Sequence, residues 1–135
     1  MIKKTLGQLF QLYFDIFEKF GTHLLKESDK MIGYYVFEET ASSIGFCSRR
    51  ILIKFLEEGL IDEIIFEESS SLLKIFRKIE SISSLRNVDS VKTSSEWKEV
   101  LQLSDKIKEL LKIRWTNEEL QAIFELKQTT GLSIE

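Results

Sequence analysis

Proline is absent from the 135-residue chain, and cysteine and histidine occur once each. Without proline, nothing fixes φ or removes a backbone donor inside a helix. One cysteine excludes an intramolecular disulfide and leads us to expect a reducing, cytoplasmic setting. The six glycines (7, 21, 33, 45, 59, 131) are scattered, so no glycine-rich phosphate loop can be assembled locally. No apolar run approaches the roughly 18 residues of a membrane span. The start, Met1-Ile2-Lys3-Lys4, is basic, but Gln8, Gln11 and Asp15 interrupt what a signal peptide would keep apolar. Basic residues are not in excess either. Nineteen Lys and Arg face 22 Asp and Glu, a net charge of −3, which argues against general nucleic-acid binding.

What remains is 43% hydrophobic and 30% charged, a globular balance at the length of one domain. Leu6, Phe10, Tyr13, Phe17, Phe20 and Leu24 recur every three or four residues and predict a helix over about 3–30. Lys4, Gln8, Gln11, Asp15, Lys19 and Lys26 are expected on its solvated side. Tyr34-Tyr35-Val36-Phe37 has strand-like composition. With no second strand signal to pair with it, we read it as a buried helix. A further helix is expected over about 48–67, with Gly59 as a point of division. Ser69-Ser70-Ser71 is read as a break and N-cap before the periodic Leu72, Ile75, Phe76, Ile79 and Ile82. Residues 83–95 look like a loop separating a two-helix tail. Each tail helix is expected to open with a capping box, Thr93 with Glu96 and Thr116 with Glu119, and Gly131 is read as a helix stop. The expected fold is therefore all-α: a single domain, residues 1–135, of about six helices with a C-terminal two-helix unit.

The inventory for bond-making chemistry is thin. His23, with Glu27 four residues on, forms half a metal site at most, and no second histidine or paired cysteine motif completes it. Cys47, close to Arg49 and Arg50, has neighbours that lower a thiol pKa, yet free cysteine is commonly buried filler. We expect no catalytic residue, no cofactor, no metal and no enzymatic activity. Residues 39–61 resemble a helix-turn-helix, with Ala41, Gly45 and Ile51 at its spacing and Arg49, Arg50 and Lys54 as phosphate or base contacts. Between residues 38 and 68, however, eight acids outnumber three bases, a local balance of −5 that repels DNA. The stretch Ile44-Gly45-Phe46, followed by Ile51, Leu52, Phe55 and Leu56, is similar to globin-like sensor domains without haem, and implies an apolar ligand. These two readings stand as alternatives.

Glu57, Glu58, Asp62, Glu63, Glu67 and Glu68 concentrate the acidity. Taken as one helix, Glu58 with Asp62 and Glu63 with Glu67 are repelling i,i+4 pairs. A docking face for a basic protein is the functional reading, with Tyr34, Tyr35 and Trp115 as candidate anchors. Small size, acidity and the lack of a catalytic inventory together resemble the small acidic immunity proteins of bacterial toxin systems, contact-dependent growth inhibition among them. That resemblance implies a cytoplasmic, non-enzymatic inhibitor that binds a toxin domain, such as a basic nuclease, and occludes its active site. It implies no membrane partner.

Overall fold

Helix α1 (Leu6–Lys19) is the axis around which the rest is arranged. Its N-cap Thr5 and Gln8 form a reciprocal capping box, Gln8 N–H to Thr5 Oγ1 at 3.1 Å and Thr5 N–H to Gln8 Oε1 at 2.9 Å. The apolar stripe seen in the sequence is buried throughout, from Leu6 to Leu24. The computed structural model describes residues 2–134.

The predicted 3–30 helix is nevertheless cut at both ends. Residues Ile2–Thr5 form strand β1, paired antiparallel with β2 (Thr129–Ile134), Lys3 opposite Ser133 and Thr5 opposite Thr129. We expected no strand. A pairing between the two ends of a chain leaves no local sequence signal. At the other end, α1 stops at Phe20, and a 3-10 turn (Thr22–Lys26) follows Gly21. The stop comes from α7, described below. Its Asp105 accepts bonds from Thr22 N–H and Thr22 Oγ1 at 3.2 and 2.5 Å, and Ser104 Oγ donates to the Phe20 carbonyl at 2.5 Å. These bonds satisfy groups that a continuing helix would have paired internally. A Cβ on Gly21 would lie 2.3 Å from Asp105 Oδ1, so this approach needs glycine.

Helix α2 (Asp29–Tyr34) runs through a π-helical stretch, Tyr35–Thr40, into the short α3 (Ala41–Ser43). The Tyr34–Phe37 run is thus helical, as expected, but not buried as a whole: Val36 is buried, Tyr35 and Phe37 are half-buried and Tyr34 is exposed. A 3-10 turn (Ile44–Cys47) leads to α4 (Arg49–Glu57). Gly59 does divide the next segment. With φ at 74° it ends α4 in a left-handed turn, its N–H 3.1 Å from the Leu56 carbonyl and the Leu60 N–H 2.9 Å from that of Phe55. Asp62 caps α5 (Glu63–Glu80), accepting the Ile65 N–H at 2.8 Å.

The serine break is a correction. Ser69, Ser70 and Ser71 lie inside α5, and Ser69 is buried with its Oγ 2.7 Å from Tyr13 Oη on α1. A partner across the core overrides serine's modest helix propensity. The expected loop at 83–95 contains a 3-10 turn (Ser83–Leu85) and α6 (Val88–Thr93), which buries Val91. The first capping box does not form. Thr93 ends α6, and Ser94 caps α7 (Ser95–Arg114) by accepting the Trp97 N–H at 3.2 Å. The second does form, Thr116 with Glu119, opening α8 (Asn117–Phe124). Gly131 is no helix stop: α8 ends at Phe124, and Gly131 sits in β2 with φ at 76°.

The chain is all-α apart from the two-stranded ribbon, around one continuous hydrophobic core. Phe10 and Phe55 meet edge to face at 5.1 Å, as do Tyr13 and Phe17 at 5.0 Å. Phe76 bridges Phe20 and Trp97 at 5.5 and 5.6 Å. Such T-shaped contacts are favoured by the ring quadrupoles. Among the described residues, no helix is long and apolar enough to cross a membrane.

Candidate functional site: an acidic face with exposed isoleucines

The six acids line the end of α4, the turn after it and the first turns of α5. The fold treats them in two ways. Glu58 pairs with Lys54 at 3.2 Å, Asp62 with Arg114 at 3.9 Å and Glu68 with Lys106 at 3.4 Å. A hydrogen bond from Gln128, then the bond from Lys54, holds the Glu58 carboxyl below its ordinary range. Glu57, Glu63 and Glu67 are exposed and have no ion pair among the described residues. The expected Glu58–Asp62 repulsion along one helix is a correction, because the Gly59 turn puts these residues on separate elements. Glu63 and Glu67 do share α5.

The pairs Asp62–Arg114 and Glu68–Lys106 fix α5 and α7 as antiparallel neighbours. This register puts Ile64, one turn before Glu68, and Ile113, seven residues after Lys106, at the same end of the helix pair. Ile64 is 60% exposed and Ile113 is 75% exposed. Sequence reading missed both. Ile64 follows the apolar period of its segment and looks like core, and its exposure depends on the rotation that Asp62 and Gly59 impose on α5. On α5 the exposed Ile64 therefore stands next to the unpaired Glu63 and Glu67, an apolar side chain among free carboxylates.

That surface is held rigidly. Arg114 Nη2 donates to the Gly59 carbonyl at 2.8 Å, and Trp115 Nε1 donates to that of Leu60 at 2.8 Å. The Arg114 guanidinium also lies 5.3 Å from the Trp115 ring centre. The end of α7 therefore clamps the α4–α5 turn. Trp115 is half-buried in this clamp, and Tyr35 is half-buried as well. Tyr34 is exposed but its hydroxyl donates to Glu39. Of the three anchors expected from sequence, only Tyr34 offers an open ring.

The other candidates are kept apart. Cys47 is fully buried, and burial pushes its thiol well above the ordinary value, so the nearby arginines do not activate it. His23 lies exposed on the Thr22–Lys26 turn, where it lines a shallow depression with Glu18 and Glu27. No group of three or more His, Cys, Asp or Glu side chains able to hold a metal ion occurs among the described residues. In the 39–61 stretch, Arg49 stands over the Phe66 ring at 5.8 Å and Lys54 is paired with Glu58, which leaves Arg50 as the basic side chain with neither kind of contact. Nine aromatic pairs meet within the core, so many of the phenylalanines that a sensor would use around a ligand pack on other rings instead. The chain matches no protein-family model, no curated protein and no solved structure.

Proposed function

We propose that this chain is a binding protein that neutralises a basic partner by covering it, in the manner of a toxin-neutralising immunity protein. The reading rests on one observation: Ile64, 60% exposed, stands on α5 between Glu63 and Glu67, two carboxylates without an ion pair among the described residues. Unpaired carboxylates steer a basic surface inward and fix its orientation, and the effect appears mainly in the association rate. Burying the remaining exposed area of an isoleucine contributes about 1–2 kcal/mol, and that contribution slows dissociation. The clamp by Arg114 and Trp115 holds the turn ready, so little order has to be gained on binding. A toxin nuclease with a basic substrate cleft fits such a surface, and occlusion of the cleft needs no catalytic group on the inhibitor. The cytoplasm is where such an inhibitor would act.

The test is association with a purified basic nuclease domain of the toxin type, followed by surface plasmon resonance over a range of salt. Glu63→Lys with Glu67→Lys is expected to slow association by about tenfold and flatten its salt dependence. Ile64→Ala is expected to raise the dissociation rate and leave association nearly unchanged. Wild-type rates in both variants, with circular dichroism unaltered, would remove this surface from consideration.

A further inference from the structure

A second polar feature lies elsewhere on the molecule, between α1 and the π-helical stretch. There Leu12, Asp15, Ile16 and Lys19 line one wall of a cavity of about 120 Å³, and Glu39, Thr40 and Ser43 line the other. The spacing on α1 is three and four residues, so these side chains form one stripe; Lys19 is exposed, as expected, whereas Asp15 is half-buried. One water needs roughly 10–15 Å³ of such space, so the cavity admits a molecule of several heavy atoms.

Its polar groups are unevenly satisfied. Glu39 is held twice, by Lys19 at 3.7 Å and by the Tyr34 hydroxyl. Thr40 is 1% exposed and its Oγ1 has no hydrogen-bond partner among the described residues. Two residues on, Ser42 Oγ donates to the Glu38 carbonyl at 2.5 Å, the usual resort of a helical hydroxyl. Thr40 makes no such bond. A buried hydroxyl left without a partner costs about 1–3 kcal/mol, and native proteins seldom leave one so. Asp15 likewise has neither an ion pair nor a hydrogen bond among the described residues. Burial is the main influence on its carboxyl, raising it above the usual range.

Charge selects the ligand. Two carboxylates against one ammonium leave the cavity net negative by one, and the acceptors left for a ligand are the Asp15 carboxylate and the Ser43 hydroxyl, with the Thr40 hydroxyl buried behind the wall. Leu12 and Ile16 supply an apolar wall. We propose that this cavity binds a primary ammonium group on a short alkyl chain, with the ammonium donating to Asp15 and Ser43 and the alkyl chain lying on Leu12 and Ile16. Lys19 is paired with Glu39 but its charge also reaches Asp15, so the ligand's ammonium has to compete with it there. The same chemistry is carried by a small free amine and by the tip of a lysine side chain.

The experiment is amide chemical-shift titration of the full chain with n-butylammonium, with butyrate and n-butanol as charge controls and with Nα-acetyl-lysine amide as the lysine probe. Butylammonium should give saturable shifts confined to residues 12–19 and 39–43, with neither control doing so. Saturation by acetyl-lysine amide as well identifies a site open to a lysine tip, and saturation by butylammonium alone identifies a free-amine site. Asp15→Asn should weaken binding by about tenfold, the scale of one charge-assisted hydrogen bond, and Ser43→Ala by a few-fold. Both substitutions are nearly isosteric, and an unchanged far-ultraviolet spectrum verifies that each variant folds. Equal shifts with butyrate or butanol, shifts outside these two segments, or unaltered affinity in both folded variants would overturn the assignment.

Discussion

The bond between Tyr13 Oη and Ser69 Oγ spans 56 residues of sequence at 2.7 Å, and both residues are 0% exposed. Ser69→Ala removes the hydroxyl that the tyrosine faces. Phe10, Phe17 and Phe55 hold the Tyr13 ring at centroid distances of 5.6, 5.0 and 5.2 Å, so it cannot swing toward water. Burial keeps its phenol protonated by raising the pKa well above 10.0. The variant therefore strands a polar hydroxyl in an aromatic cage, at a cost of about 2 kcal/mol. At this chain length about 1 kcal/mol corresponds to roughly 3–5 °C in Tm, so a fall of about 6–10 °C is expected. Tyr13→Phe should cost less, about 1 kcal/mol, because the Ser69 hydroxyl can turn to its own helix and donate to the carbonyl four residues earlier. The double variant leaves nothing unpaired and should lie within about 1 kcal/mol of wild type. Calorimetry with urea titration on all four proteins reads the cycle. Strict additivity, with the double variant as unstable as the sum of the two singles, would refute the argument that an unpaired group, and not a lost contact, carries the cost.

Two further outcomes follow from the packing. A Cβ at Gly7 would meet the Phe124 carbonyl oxygen at 2.3 Å and that of Ile123 at 2.8 Å, both backbone atoms that cannot rotate away. Gly7→Ala should cost about 1–3 kcal/mol by overpacking and should speed proteolysis after α8, and an unchanged melting temperature would contradict this close approach. Asp15 predicts a pH effect of definite sign. Burial first, offset in part by Lys19, lifts its folded pKa above the ordinary 3.8, so its ionised form opposes folding at neutral pH and the penalty fades as pH falls through the folded pKa toward 3.8. Asp15→Asn should melt higher than wild type at pH 7, with the gain shrinking on acidification and gone below about pH 3.8. A lower Tm at pH 7 would mean that the carboxylate makes a stabilising bond.

Periodicity in the chain was a reliable guide to which side chains turn inward. Leu6 through Leu24 are buried although the helix carrying them breaks at Gly21, because the count of three or four residues reports a face and survives a local change from α to 3-10 geometry. Local chemistry with a single solution was equally readable: Thr116 with Glu119 closes its capping box, and Gly59 ends α4 at positive φ. Features that depend on distant partners were not. Ser69 looked like a helix breaker until Tyr13 paired with it, and the strand at Ile2–Thr5 exists only against Thr129–Ile134. The acidic segment divides along the same line. Composition alone makes six equivalent carboxylates of Glu57, Glu58, Asp62, Glu63, Glu67 and Glu68. Lys54 answers Glu58 from one turn away, but Arg114 and Lys106 answer Asp62 and Glu68 from α7, 52 and 38 residues along the chain. Whether a charge is spent inside the fold or left for a partner is a matter of three-dimensional neighbourhood, because Coulomb attraction acts over a few ångströms of space regardless of separation along the chain.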